Sequence, residues 1–395
     1  MSFQIQTQQV NTGATATFTF PAPVGAYVYG VTGFELNAGS SPQQINTASI
    51  TLTPTLTQDN TVLEIQVSTT LYESQTANNW VQVTVLAWLG AENPPGIFLF
   101  NRSGLGPGAS VEPMALDGQP VLAAGVIAGF DLSFSNGKSS VLGLGASCGC
   151  TLPPFSSTTE AMPIGEGLLI GTGNNPSSNT VDVGIVALTA SQTNVAAGIY
   201  FDNNDKYGSN SCSSPNLELA PTQVALFLQS FYMQYQITSS VDPTPSVSYI
   251  QVGATNIEAN PTGFSFTSTR ELTDSAYYMT EYPYEPPEYS PIYANSYVAT
   301  YLYVALAGPS VSSLSTTSGP TAGGTKVTIT GTNFSDGAVV LFGTTQADSI
   351  QVVSATEITA ISPASTEAGT VDVFVGTNAG ISAKNSACTF TYESS

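Results

Sequence analysis

The chain has 395 residues, of which 42% are hydrophobic, so it can form several buried cores. Charged residues make up only 8%, and 27 Asp and Glu against 6 Lys and Arg give a formal net charge of −21. Because phosphate binding needs clustered basic residues, this composition excludes nucleic acid as a partner. The sequence also lacks any window of about 18 consecutive apolar residues, which argues against membrane insertion.

The chain repeats itself three times before its character changes. Each copy has an opening strand that begins with Pro, continues as an apolar run and reaches a Phe at a fixed place. These opening strands are 23–39, 120–137 and 221–237, and their markers are Gly33-Phe34, Gly129-Phe130 and Ser230-Phe231. The markers recur about every 100 residues, which is the size of a domain and not of a solenoid turn.

Further strands complete each copy. A leading strand precedes the opening strand (2–7, 96–104 and 197–205), and a closing strand ends the copy (80–91, 180–190 and 297–308). Two more runs of alternating apolar and polar residues lie between the opening and closing strands, while helical periodicity is close to absent. The sequence therefore predicts an all-β chain of short strands, a pattern that favours β-sandwiches.

From Pro309 onward the pattern changes to short strands separated by Gly-containing turns. The positions that mark it are Pro320, Gly323, Gly324, Val327, Ile329, Gly331, Asn333, Phe334, Val340, Phe342, Gly343, Ile358, Pro363, Gly369, Val373, Asn378 and Gly380. In this pattern the segment closely resembles the IPT/TIG family of immunoglobulin-like domains. The resemblance implies a compact sandwich used as a spacer or interaction module. DNA-binding members carry basic loops, whereas this segment has only Lys326 and Lys384, so DNA binding is not implied.

The three copies are also similar to H-type lectin domains. The similarity rests on the entry Phe18-Thr-Phe-Pro21 and on the closing strand that contains Trp88, although the second and third copies lack this Trp. It implies six-stranded sandwiches of about 100 residues, sugar binding at subunit edges and assembly as trimers. Three copies in one chain then predict a pseudo-trimer.

The repeats and the change of pattern predict four domains. Three related β-sandwich domains, 1–92, 93–191 and 192–308, precede an IPT/TIG immunoglobulin-like domain at 309–395. The joints between them are short, and two of them contain Pro. Such joints are stiff, so we expect the domains to hold a fixed mutual arrangement.

The third copy carries a Tyr- and Pro-rich insertion at 276–297. Its candidate partner-binding residues are Tyr278, Tyr282, Tyr284, Glu285, Tyr289 and Tyr293. Aromatic rings beside carboxylates suit sugar stacking or a protein contact. The alternative is that the insertion only packs on its own domain or on a neighbouring subunit.

The cysteines and one acidic turn are the other candidate sites. A disulfide involving two of Cys148, Cys150 and Cys212 and a set of free thiols are both consistent with the spacing. Asp202-Asn203-Asn204-Asp205 resembles part of a calcium loop, but Lys206 stands where a further acid is expected, which favours a polar turn. We expect no metal and no cofactor.

Function follows from what the composition lacks. With no His in the chain, the usual general base is missing, so we expect no enzyme. Tandem β-domains with sparse charge predict a structural subunit of an extracellular or virion-type assembly, such as a fibre, appendage or phage-like tail component. Self-association by strand addition makes the leading strand, with Phe3 and Ile5, a candidate donor. The N-terminus does not read as a signal peptide. The alternative is a soluble lectin or adhesin that binds cell-surface glycans through the insertion.

Overall fold

The computed structural model describes residues 2–37, 45–71, 79–90, 96–106, 114–118, 120–134, 141–151, 160–171, 179–189, 194–202, 208–217, 219–234, 247–274, 292–293 and 296–394. Every regular element in these ranges is a β-strand, which confirms the predicted all-β class. No helix of the described chain is long and apolar enough to cross a membrane.

The strands follow the predicted pattern. The first copy forms β1 (Ser2–Asn11), β2 (Thr15–Thr19), β3 (Val24–Asn37), β4 (Thr47–Leu56), β5 (Val62–Leu71) and β6 (Trp80–Leu89). The second forms β7 (Ile97–Leu105), β8 (Met114–Ala115), β9 (Leu122–Ser133), β10 (Val141–Thr151), β11 (Glu160–Gly171) and β12 (Thr180–Leu188). The third forms β13 (Val195–Asp202), β14 (Gly208–Ser213), β15 (Gln223–Gln234), β16 (Val247–Asn260), β17 (Gly263–Asp274), β18 (Ile292–Tyr293) and β19 (Ser296–Leu306).

The three large sheets are each shared by two copies. Sheet I has the order β1-β6-β3-β16-β17-β14, with β18 added on β17. Sheet II runs β7-β12-β9-β4-β5-β2, and sheet III runs β13-β19-β15-β10-β11-β8. In every sheet the leading, closing and opening strands of one copy continue into the fourth, fifth and second strands of another. The copies therefore interlock in a closed ring, which is the predicted pseudo-trimer, and the predicted domain boundaries stay a prediction.

The copies meet at three equivalent antiparallel seams. β3 pairs with β16, β9 with β4 and β15 with β10. The backbones approach closely at the first seam, where a Cβ added to Gly253 would collide with Gly33 Cα. A Cβ added to Gly33 would lie 3.1 Å from Gly253 Cα, so the Gly of the marker dipeptide Gly33-Phe34 allows the two strands to approach closely.

The Phe of each marker dipeptide reaches the axis of the ring. The ring centroids of Phe34, Phe130 and Phe231 lie 5.3 to 5.5 Å from one another, and all three side chains are buried. Tilted and edge-to-face contacts at this separation are favourable for aromatic rings. The repeated Phe therefore joins the three copies in one core.

The next axial layer is unequal. Its members, Gly30, Val126 and Phe227, stand four residues before the three Phe residues in their copies. A Cβ on Gly30 would lie 3.0 Å from both Phe227 Cδ1 and Val126 Cγ2. The small residue of the first copy thus makes room for the large residue of the third, so the copies cannot exchange places without a clash or a void.

The last segment forms an independent sandwich. Its strands are β20 (Ser310–Leu314), β21 (Ser318–Pro320), β22 (Lys326–Thr332), β23 (Val339–Phe342), β24 (Thr345–Gln346), β25 (Ser349–Ser354), β26 (Glu357–Ile361), β27 (Gly369–Thr377), β28 (Gly380–Ile381) and β29 (Thr389–Glu393). One sheet has the order β20-β22-β26-β25 and the other β21-β29-β27-β23-β24, with β28 on β27. Its own apolar core includes Ile329, Phe342 and Phe390. This sandwich packs at the end of the ring where the leading strands begin, which we call the proximal end; the opposite end is the distal end.

Candidate binding surface on sheet I

A row of four polar and aromatic side chains crosses sheet I near the distal end. Trp80 on β6 lies opposite Glu35 on β3, Glu35 opposite Gln251 on β16, and Gln251 opposite Glu271 on β17. Directly opposed residues project from the same face of a sheet, and all four side chains are half-buried. We call this set the Trp80–Glu271 row.

Hydrogen bonds hold the row in place. Trp80 Nε1 donates to Glu35 Oε2 at 2.7 Å, and the Tyr249 hydroxyl donates to Gln251 Oε1 at 2.5 Å. Burial, and then the charge of Glu35, raise the pKa of the Glu271 carboxyl. An indole, a phenol, an amide and two carboxylates on one sheet face can stack on an apolar ring face and accept hydrogen bonds from hydroxyl groups.

The base of the predicted insertion lies beside this row. β18 extends sheet I by pairing Tyr293 with Thr273 and Ile292 with Asp274, next to Glu271 on β17. The side chain of Tyr293 and all of Tyr278, Tyr282, Tyr284, Glu285 and Tyr289 lie outside the described residues. Their binding role stays a prediction.

Sequence reasoning did not find the Trp80–Glu271 row. Trp80 and Glu35 belong to the first copy and Gln251 and Glu271 to the third, and only the β3–β16 seam brings them together. The sequence does mark one position of the row. The residue after each marker Phe takes the position of Glu35 in the sheet of its own copy. It is Glu35 in sheet I, Asp131 in sheet II and Tyr232 in sheet III.

The predicted strand donor is paired within its own copy. β1 runs antiparallel to β6 over its whole length, and Phe3 is buried with its ring 4.8 Å from that of Trp88. On the outer edge of β1, Gln6 Nε2 donates to Thr19 O at 2.9 Å, and Gln8 Nε2 donates to Thr17 O. The backbone N–H of Ile5 donates to Gln223 Oε1 at 3.3 Å. Strand donation by Phe3 and Ile5 stays a prediction and requires β1 to leave these contacts.

The three cysteines whose side chains the structure describes are free thiols. Cys148, Cys212 and Cys388 are buried and free, and Cys148 Sγ donates to Gln229 O at 3.2 Å. Burial raises the pKa of the Cys148 thiol well above its ordinary value. The side chain of Cys150 lies outside the described residues. Buried thiols with raised pKa values are poor nucleophiles, which suits structural roles.

Asp202, the first residue of the predicted polar turn, faces inward. Its Oδ2 lies 3.1 Å from Nη2 of Arg270, and Arg270 Nη1 donates to Asp202 O at 3.3 Å. Both side chains are buried, so one of the chain's few basic residues is inside the third copy. Asn203, Asn204 and Asp205 lie outside the described residues. Among the described residues no cluster of three or more His, Cys, Asp or Glu could hold a metal ion.

Two Asn-x-Ser patterns use their amides inside the structure. Asn101 Nδ2 donates to Tyr27 O at 3.1 Å and thereby joins the second copy to the first. Asn333 Nδ2 donates to Gly308 O at 3.1 Å. In the folded protein both amides therefore make packing contacts.

The fold defines an all-β protein in which a closed ring of three copies is followed by an immunoglobulin-like sandwich. Residues 309–392 match the family model of the IPT/TIG domain, so this part of the chain is an IPT/TIG domain, as predicted. No curated protein matched the chain. The resemblance of the copies to H-type lectin domains stays a prediction.

Two solved structures of the full extracellular region of Plexin A4 are similar to the chain. The structure with domains 1 to 8 is 13% identical, with 96% of this chain and 34% of that chain covered and a TM-score of 0.21. The structure with domains 1 to 10 is 10% identical, with 97% and 41% covered and the same TM-score of 0.21. The chain thus spans about a third to two fifths of the length of these structures. So low a TM-score supports no argument about arrangement or function.

Raised carboxyl pKa values predict a pH dependence of stability. Burial, and then the charge of Asp182, raise the pKa of Asp131 above its ordinary 3.8, and Glu271 is raised above its ordinary 4.5. Between the ordinary and the raised pKa, the folded state keeps a proton that the unfolded state has released, so stability falls as the pH rises. We expect the thermal unfolding midpoint to increase as the pH is lowered from neutral toward the ordinary pKa values of these two carboxyls.

Lowering the pH also reduces the repulsion among the many negative charges of the chain. Two substitutions separate that general effect from the effect of the raised carboxyl pKa values. Glu271→Gln should flatten the pH dependence, because the Glu271 side chain is half-buried whereas that of Asp131 is exposed. Asp59→Asn should leave it unchanged in this range, because hydrogen bonds from the Thr57 side chain and from Thr61 lower the pKa of Asp59, so its carboxyl is ionised in both the folded and the unfolded state. Equal slopes for both variants would contradict the assignment.

Proposed function

We propose that the protein is a non-enzymatic structural subunit of an extracellular or virion-type assembly. The observation that carries this proposal is that the sheets and the core continue from one copy into the next. Three sheets run from copy to copy, and the three axial Phe residues share one core. Because the copies share sheets and a core, they form one rigid body. A building block of a fibre or appendage needs such rigidity.

A free sheet edge supports self-association. In the described part of the chain, β13 pairs only with β19 and ends sheet III. On this edge strand Ile199 is 36% exposed and Phe201 is 61% exposed. Exposed apolar edge strands without Lys protection invite pairing with another chain. The occupant that we propose is a second copy of this chain, joined by edge pairing or packing at β13.

Negative-stain electron microscopy and sedimentation of the purified chain test this proposal. We expect filaments, rings or discrete oligomers from the natural protein and a shift to monomers for Phe201→Lys. The matched control is Val121→Lys, because Val121 is 63% exposed and directly precedes β9 of sheet II, outside sheet III. Monomers of the natural protein at all concentrations would overturn the proposal, and so would unchanged assembly of a folded Phe201→Lys variant.

A second candidate function is carbohydrate binding, as in a lectin or adhesin. It is supported by the position of the Trp80–Glu271 row beside the base of the Tyr-rich insertion. Sugar rings stack on aromatic faces while their hydroxyl groups bind carboxylates and amides. The insertion and the row would then form one surface for cell-surface glycans.

Glycan-array binding by the monomeric protein tests this candidate. We expect Trp80→Ala, and Tyr282→Ala with Tyr284→Ala, each to weaken binding about tenfold or more, as loss of a central aromatic contact does. Tyr232→Ala is the control, because Tyr232 holds the corresponding place in sheet III. Absence of glycan binding by the natural protein, or equal losses in all variants, would contradict a site on sheet I.

A further inference from the structure

The IPT/TIG domain touches both copies that close the ring. The backbone N–H of Phe3, in the first copy, donates to Asn378 O at 2.7 Å. Asn194, at the start of the third copy's leading strand, donates through Nδ2 to Asn333 O at 3.0 Å. The domain therefore bridges the first copy and the third, in addition to following the third in the chain.

One loop of the domain enters the apolar proximal end of the ring. Ala379 is fully buried and belongs to the same apolar cluster as Phe3, Val195 and Leu306. These three residues come from β1, β13 and β19, and the cluster also includes Ile97 and Leu188 of the second copy, so the loop covers the proximal end of the shared axis. Ala379 is the one IPT/TIG residue of this cluster among the described residues.

A glutamine side chain links the same three parts. Gln223, in the third copy, accepts the N–H of Ile5 at its Oε1, at 3.3 Å. A Cβ on Gly380 of the IPT/TIG domain would lie 3.5 Å from Gln223 Nε2. Because Gly380 has φ +134°, a conformation that favours Gly, the loop backbone can approach this close.

The junction between the first and third copies is also the one without a covalent connection. Linkers at 91–95 and 190–193 join the first copy to the second and the second to the third. The first and third copies are held by the β3–β16 seam and the axial core, and bringing such distant segments together costs chain entropy. Contacts that span this junction stabilise the closed ring selectively.

We propose that the IPT/TIG domain is an intramolecular clasp that holds the ring closed. Its 378–380 loop fixes the start of β1 against the third copy, and the Asn194–Asn333 hydrogen bond holds the other side. This role differs from that of a spacer or an external interaction module. The clasp does not depend on the proposed self-assembly, because all of its contacts are made within one chain.

Hydrogen exchange of the full chain, followed by mass spectrometry, tests the clasp. Replacing Ala379 by Asp places a charge in the apolar cluster, so we expect amides of β1 and of the β3–β16 seam to exchange at least about tenfold faster. The control is Ile381→Asp, which follows this loop on β28, where Ile381 is 53% exposed, and we expect it to leave exchange unchanged.

A milder variant covers the case in which Ala379→Asp does not fold. Asn194→Ala removes the hydrogen bond to Asn333 without burying charge, and we expect a smaller acceleration at β1 and β13. Natural exchange rates at β1 in folded Ala379→Asp would overturn the proposal. So would natural rates in both β1 and β13 of Asn194→Ala, or equal acceleration by Ile381→Asp.

Discussion

Replacing Phe130 by Ala is expected to lower the free energy of unfolding by about 3–5 kcal/mol, the usual loss for a buried Phe. The ring packs between Phe34 and Phe231 at the axis, where each of the three side chains comes from a different copy. Truncation of the ring leaves a cavity at this point. Because every copy borders the cavity, the loss should be felt by the whole ring.

Chemical denaturation followed by intrinsic fluorescence measures this loss. The matched control is Phe100→Ala on the edge strand β7, where the ring is only partly buried and stacks on Phe98. We expect Phe100→Ala to lose clearly less than Phe130→Ala, because a half-exposed ring has less apolar area to lose. Equal losses would show that the axial cluster does not hold the copies together.

Replacing Asp202 by Ala is expected to cost about 3–5 kcal/mol, because it leaves a buried Arg270 guanidinium without its charged partner. The two side chains are 3% and 0% exposed, so water cannot take the place of the carboxylate. The first copy has Val10 and Thr69 at the corresponding positions of its strands, so the fold does not itself require an ion pair there.

A double substitution separates the charge from the packing. Asp202→Val together with Arg270→Met should recover most of the lost stability, since an apolar pair of similar volume avoids burying any charge. Thermal and denaturant unfolding of the two single variants and the double variant measure the coupling. Additive losses would contradict a direct interaction between Asp202 and Arg270.

Much of the fold could be predicted because strand periodicity shows which face of a strand is buried. The predicted leading, opening and closing strands of each copy are present as strands, and the three marker Phe residues prove to be equivalent. The IPT/TIG domain was predictable from its turn glycines and its apolar alternation. The candidate site was less predictable: the insertion could be read from composition, but its neighbours Trp80 and Glu35 lie in another copy.

By itself, the sequence determined the number of copies, the all-β class and the identity of the last domain. These depend on local alternation and turn chemistry, which each segment carries in its own residues. Only the tertiary structure decided that each sheet joins two copies, that Trp80 shares a row with Glu271 and that Arg270 is buried against Asp202. The physical reason is that backbone hydrogen bonds are the same for any pair of strands. The choice of partner therefore depends on how the side chains of all three copies fill one shared axis.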